Sequence, residues 1–327
     1  MNVVLEIAKR AKENTKFISN ANTKIKNKVL SDISKYLITG IGEIIKENKK
    51  DLEMSIKEGM SDSLLDRLKL DRKRIEKKAE SIDKVIKSTD PVGEIIFGYD
   101  LPNGLILKNI RVPLGVVGII YEARPDVTID ASVLCVKSGN CIVLRGSSHT
   151  LNTNKKLVQV MGRALKDNGF PDSIVQIIPS DDREDVTRLM QLRQYIDVLI
   201  PRGGKSLIKS VVENSKVPVI ETGIGNCHVY IDNVLENISV DKIAEIVINS
   251  KTQRPSVCNA AEKLLVHKDV APKIMPALLK KLEEKDVKLL GCSISKEIYP
   301  SIGVASEEDW YEEYLDYKMA VKVVDSC

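Results

Sequence analysis

Between residues 115 and 232 the chain repeats one pattern: a short run of β-branched and aliphatic residues, then a longer stretch with helical spacing. The runs are GVVGIIYEA, CIVLRG, IVQIIPS, VLIPRG, VPVIETG and CHVYID, each of a length suited to a buried strand. The stretches DASVLCVKSG, NTNKKLVQVMGRALKDNG, DREDVTRLMQLRQY and GGKSLIKSVVENSK have helical periodicity, and Asn168-Gly169 before Pro171 is a helix stop. Alternation of this kind builds right-handed βαβ units and a parallel sheet with helices on both faces. The fold class expected is α/β, and such sheets bind nucleotides at the carboxyl ends of their strands.

Three further regions flank this core. Residues 2 to about 89 space apolar residues three and four apart (Val4, Ile7, Ala8, Ala11; Val29, Ile33, Leu37, Ile41) and read as helices, with KENKKDLEMSIKEGM as a solvated charged face. From Asp90-Pro91 the pattern changes, and EIIFGYDLPNGLILKNIRV reads as two strands around Pro102-Asn103-Gly104, where Asn-Gly supplies the positive φ angles of a tight turn. This hairpin, near residues 93–112, is expected to extend as an arm, because an isolated ribbon is only marginally stable. A second unit begins near Val229 and runs through DKIAEIVINSKT, QRPSVCNAAEKLLV and KDVAPKIMPALLKKLEE to Cys327, so the expected division is 1–228 and 229–327.

Composition excludes several functions. Fifty basic against 46 acidic residues give a net charge of +4 spread along the chain, and three Phe with one Trp leave few stacking platforms; nucleic acid is not an implied partner. No apolar run is long enough to span a bilayer, and MNVVLEIAKRAKENTKF lacks the apolar core of a signal peptide, which points to a cytoplasmic protein with no membrane partner. The six cysteines (Cys135, Cys141, Cys227, Cys258, Cys292, Cys327) form no CxxC pair, and with three histidines no metal-site spacing occurs; free thiols and no metal are expected.

Four segments carry candidate chemistry. In QRPSVCNAAEKLLV, Cys258 follows a Pro-containing turn and precedes a strand. It reads either as a nucleophile on a bend, with basic neighbours such as Arg254, helix dipoles or a bound cofactor lowering its pKa, or as the small buried hydrophobe that most cytosolic cysteines are. In IPRGGKSLIK, Gly203-Gly204 open a helix after a strand, either to present amides to pyrophosphate or as turn chemistry alone. In CIVLRGSSHT, Arg145 and Ser148 follow a strand where an adenosine ribose is met; arginine suits a 2′-phosphate, and the alternative is a surface arginine. In ETGIGNCHVYID, Glu221 is either a base on a Gly-rich turn or a solvated loop residue, and His228 reads as a hydrogen-bonded core histidine.

Together with SLLDRLKLDRKRI from residue 63, DPVGEI from 90, RVPLGVVGIIYEARPDVT from 111 and KSGNCIVLRG from 137, these segments resemble the γ-glutamyl phosphate reductases of the aldehyde dehydrogenase superfamily over essentially the whole chain. The resemblance implies a parallel Rossmann-type cofactor domain, a second α/β catalytic domain and a β-hairpin oligomerisation arm. It implies reduction of γ-glutamyl phosphate by NADPH to glutamate 5-semialdehyde through a thioester on Cys258, with homo-oligomers and glutamate 5-kinase as partners. The superfamily pairs the cysteine's backbone N–H with an asparagine as oxyanion donors; the asparagine's position is Ala123 here, and Asn259 is the substitute candidate. Glu313 matches the glutamate that holds the nicotinamide ribose, and Glu221 falls where hydrolytic members keep a base, which a reductase does not need. Arg124 and Arg254 are the candidates for the substrate carboxylate. The family's pattern continues past VKVVD whereas this chain stops at Asp325-Ser326-Cys327. The catalytic domain is therefore expected to be incomplete, and the alternative reading is a catalytically weak or silent nucleotide-binding relative. An acyl-CoA-linked aldehyde dehydrogenase would use the same thioester chemistry, but RPDVT and QRPSVCNAAE argue for the reductase.

Overall fold

The computed structural model describes residues 3–326 apart from 222, 224 and 235–237, and the chain divides into two compact units, residues 1–222 and 223–327. Cys327 and, within ETGIGNCHVYID, Thr222 and Ile224 lie outside the described residues.

The first unit opens with α1 (Val3–Ser19), α2 (Thr23–Thr39), α3 (Ile41–Lys57), α4 (Asp62–Leu68) and α5 (Arg72–Lys87). Side-chain caps start two of them: Asn22 accepts from the N–H of Ile25, and Asp71 from that of Arg74. A hairpin of β1 (Ile95–Asp100) and β2 (Ile106–Ile110) follows, paired antiparallel, with every strand residue exposed. Its turn differs from the expected one: Gly104 has φ +84°, while Asn103 is not in the left-handed region and instead accepts the Leu105 N–H on its side chain. The Gly104 N–H closes the turn on the Leu101 carbonyl at 2.9 Å, and the Leu101 N–H donates to the Leu105 carbonyl at 2.8 Å, so one left-handed glycine after the turn suffices.

The remainder of this unit is the predicted parallel sheet. Strands β3 (Val116–Tyr121), β4 (Cys141–Arg145), β5 (Val175–Ile177) and β6 (Val198–Arg202) alternate with α6 (Pro125–Lys137), α7 (Leu151–Asp167), α8 (Arg183–Gln191) and α9 (Lys205–Asn214). All neighbours are parallel, in the order β5-β4-β3-β6. Every residue of β3 and β4 is buried, which is why these runs are continuously apolar instead of alternating. Because β4 and β6 lie on opposite sides of β3, the strand order reverses there, and the crevice at the carboxyl ends of β3 and β6 is the topological switch point. The segment VPVIETG does not form the expected strand. Among its described residues only Val219 makes a bridge, to Leu199, because Pro218 has no N–H to donate to a ladder.

The second unit contains β7 (Cys227–Ile231), α10 (Val240–Thr252), β8 (Ala261–His267), α11 (Ala271–Glu283), β9 (Lys288–Gly291), α12 (Ser293–Ile298), β10 (Gly303–Val304) and β11 (Lys318–Val324). Its five strands are parallel in the order β10-β9-β11-β8-β7. The division falls at 222/223, not 228/229, because CHVYID pairs with β8 and so belongs to this second sheet. Each unit has its own core, the second centred on Leu264, Val266, Leu278, Leu279 and Val321, all fully buried. No helix among the described residues is long and apolar enough to cross a membrane.

Candidate active site

Cys258 owes its exposure to local sequence. Helix α10 stops at Thr252 and Pro255 follows, and a proline disfavours helical φ/ψ at the residue before it. The chain then turns: the N–H of Ala260 donates to the Val257 carbonyl at 3.0 Å, which places Cys258 and Asn259 at the two central positions of a β-turn immediately before β8. Among the described cysteines, Cys258 alone is exposed; Cys135 and Cys141 are buried, Cys227 and Cys292 half-buried. The reading of Cys258 as a small buried hydrophobe is therefore set aside. Burial pushes the thiols of Cys135 and Cys141 up to about 12, which leaves them protonated and inert.

Strand order explains what stands beside the thiol. The loops preceding β7, β8 and β11 all arrive at the amino edge of the second sheet, where these three strands are neighbours. They bring Gly225–Cys227, Cys258 and Glu313 together. Gly225 is the spacer: a Cβ built on it would lie 2.5 Å from the Cys258 carbonyl oxygen, 3.2 Å from Cys258 Cβ and 2.8 Å from Oε1 of Glu313. The Cys227 thiol donates to the Cys258 carbonyl at 3.3 Å. Asn226 donates its amide to the Trp310 carbonyl at 2.9 Å and so ties this loop to the one leading to Glu313. Arg254 and Asn259 are exposed on the Cys258 segment. His228 is exposed, not a core residue, and its Nδ1 lies against the Asn226 carbonyl; alternation along β7 turns it to the open face.

In the first unit the predicted cofactor residues gather at the carboxyl edge of the sheet. Gly204 caps α9, and its N–H donates to Oε2 of Glu122 at 3.0 Å. That end of the helix thus already receives an anion, with Arg202 and Lys205 exposed on either side of the glycines, and this donor set suits phosphate. A Cβ on Gly203 would come within 2.6 Å of the Glu122 carboxyl carbon. Sequence reading did not single out Glu122, Arg202, Lys205 or Gly225; the first three needed the strand order, the last a contact across 33 residues of chain to Cys258.

Arg145 is not a surface arginine. It is 9% exposed, and its terminal nitrogens donate to the carbonyls of Gly146, Asp181 and Asp182 at 2.7, 3.0 and 3.2 Å, leaving Nε buried without a partner among the described residues. It therefore fixes the loop that carries Ser148, which is exposed. Beneath that loop runs a buried chain of hydrogen bonds from the Tyr121 hydroxyl to Thr128, from Thr128 to Asn154 and from Asn154 to Thr150. Gly146 has no room for a side chain over it, since a Cβ would meet the Asn154 amide at 2.4 Å. Arg124 is the N-cap residue of α6 and half-buried. Glu221 is exposed in irregular structure.

Comparison with known proteins identifies the family. The model of the aldehyde dehydrogenase family matches residues 3–290. A γ-glutamyl phosphate reductase of Clostridium perfringens is 51% identical over 317 residues, covering 97% of this chain and 75% of the relative. One from Caldicellulosiruptor bescii is 48% identical over 330 residues, covering all of this chain and 78% of the relative. The crystal structure of γ-glutamyl phosphate reductase from Thermotoga maritima superposes with a TM-score of 0.94 at 43% identity, covering 99% of this chain and 77% of that one. This chain belongs to the aldehyde dehydrogenase family and stands among its γ-glutamyl phosphate reductases.

Proposed function

We propose that the chain reduces L-glutamyl 5-phosphate with NADPH to L-glutamate 5-semialdehyde and inorganic phosphate, the second step from glutamate to proline. The observation that carries this reading is the exposed Cys258 turn packed through Gly225 against Glu313, in a chain about half identical to proteins named for this reaction. The Cys258 thiolate attacks the acyl carbon, phosphate leaves with the electrons of the broken C–O bond, and a thioester remains. The Cys258 backbone N–H and the Asn259 side chain steady the oxyanion at each tetrahedral stage. Bound NADPH supplies the hydride that turns the thioester into a thiohemiacetal, whose collapse releases the aldehyde and restores the thiolate.

In this reading Gly203, Gly204 and Ser148 meet the dinucleotide's phosphates and sugar, Arg145 acts through the loop it fixes, and Glu313 holds the nicotinamide ribose. Arg254 and Arg124 supply positive charge for the substrate's carboxylate. Glu221 has a minor role, because water activated against the thioester would waste it. The chain works in the cytoplasm as a homo-oligomer through its hairpin arm, supplied with its labile acyl phosphate by glutamate 5-kinase. Incubating the protein with NADP⁺ and glutamate 5-semialdehyde without phosphate tests the covalent step. Intact mass should show one glutamyl group on Cys258, discharged by added phosphate; a Cys258 that stays unmodified while NADP⁺ is reduced would overturn it.

A further inference from the structure

The two peptide groups flanking Glu313 are both tied down from one point on β8. Lys263 Nζ donates to the Glu312 carbonyl at 2.7 Å. Glu262, its neighbour in sequence, accepts the backbone N–H of Tyr314 on Oε2 and that of Leu315 on Oε1, each at 3.2 Å. Leu315 has φ +53°, in the left-handed region that a leucine rarely takes, so the segment is held in a conformation it would not choose alone. A second layer braces the first. The ammonium groups of Lys263 and Lys318 each lie 4.1 Å from the Tyr314 ring centroid, and the Tyr314 hydroxyl donates at 2.9 Å to Asp309, which Lys318 pairs at 3.1 Å.

Stability alone is a poor reason for this arrangement. Glu262 and Lys263 are each 1% exposed, and a third charge, Lys251, is fully buried 3.3 Å from Glu262. Desolvation pulls both lysines below their ordinary pKa. Apolar residues of similar volume commonly stabilise a core as well as or better than buried ions do. What the ions add is directional bonding, from residues four and five positions past the reactive cysteine, to a loop at Glu313 that has no strand partner of its own.

We infer that Glu262 and Lys263 are positioning residues for the reduction: they fix the backbone on both sides of Glu313 so that its carboxylate keeps its place beside Gly225 and the Cys258 turn. The inference rests on the reading of Glu313 as the group that meets the nicotinamide ribose. The test compares Lys263→Met, Lys263→Arg, Glu262→Gln and Glu313→Gln in the whole chain. The readouts are NADPH affinity by fluorescence titration, amide hydrogen exchange over residues 309–318, and the rate of Cys258 alkylation without cofactor. Lys263→Met and Glu262→Gln should speed exchange at Tyr314 and Leu315 and weaken NADPH binding on the order of 10-fold, the worth of one hydrogen bond to a charged group. Cys258 alkylation should not change, Lys263→Arg should restore most of the affinity, and Lys263→Met should add little in a Glu313→Gln background. Should Lys263→Met fail to fold, the near-isosteric Glu262→Gln carries the same comparison. Wild-type NADPH affinity despite faster exchange, or full additivity with Glu313→Gln, would sink the inference alone. A Glu313→Gln protein that binds NADPH like the wild type would remove the reading beneath it as well.

Discussion

Gly225→Ala adds one methyl group at a point crowded by both Cys258 and Glu313. The Glu313 carboxylate, 2.8 Å from the new carbon, is the end of a flexible side chain and can swing aside; the Cys258 carbonyl, at 2.5 Å, is backbone and cannot move without moving the turn. Restoring even the 3.0 Å that real Cβ contacts respect requires the Gly225 loop and the nucleophile's own peptide to separate by about 0.5 Å. Misplacing a reacting group by about 1 Å costs roughly 100-fold in rate, so half that shift should lower kcat on the order of 10-fold. The added volume should cost about 1–3 kcal/mol of stability, little enough for the variant to remain folded. The assay is kcat for NADP⁺ reduction by glutamate 5-semialdehyde and phosphate, with the melting temperature measured alongside. Gly223→Ala is the control, because a Cβ there meets nothing within 4 Å. Equal kcat in the two variants would refute the assignment of Gly225 as the spacer on which the turn rests.

Other expectations follow from the same structure. Iodoacetamide at pH 8 should label Cys258 in the folded protein and leave Cys135 and Cys141 untouched until denaturant is added, since burial disfavours their thiolates; peptide mapping reads this directly. Asp90→Asn should destabilise the first unit by about 3 kcal/mol or more, because it leaves Lys26, 1% exposed and 2.7 Å from the carboxylate, buried without its partner. Burial raises the Asp90 pKa, but hydrogen bonds from Lys26, Thr23 and the Val92 N–H outweigh it and the net shift is downward. The native protein's stability from this group is thus present above the unfolded pKa and is lost as pH falls through the depressed folded value, a pH dependence that melts of Asp90→Asn should lack. Glu122→Gln should tighten NADPH binding by about 2- to 5-fold, the worth of one charge at an exposed helix N-terminus, because the carboxylate competes with phosphate for the Gly204 amide; fluorescence titration that shows weaker binding would place the phosphate elsewhere.

Much of the architecture is readable along the chain because its signals are local. Continuous apolar runs gave β3, β4 and β6, Pro255 ahead of Cys258 marked the turn, and the Gly203-Gly204 pair marked the start of α9. Non-local features were not readable. That β11, β8 and β7 are neighbours, and hence that Glu313 meets the Cys258 turn through Gly225, depends on a strand order that no periodicity encodes. Arg145 looked like a ligand-facing cation, and only the three-dimensional fold shows the Asp181 and Asp182 carbonyls that occupy it. Nothing local marks Glu262 and Lys263, since a buried ion is recognised by its partners and the backbone groups these two hold lie 49 to 53 residues away. VPVIETG failed in the opposite sense: its composition suits a strand, and one proline denies it the ladder.

The central claim is that Cys258 performs phosphate-linked acyl chemistry, and the most direct test is the reverse reaction, reduction of NADP⁺ by glutamate 5-semialdehyde, with and without phosphate, in the wild type and in Cys258→Ala. Steady turnover that requires both phosphate and Cys258 is the predicted result, with Cys258→Ala still binding NADPH. Turnover that persists in Cys258→Ala, or wild-type protein that binds NADPH yet shows no phosphate-dependent turnover, would contradict the account.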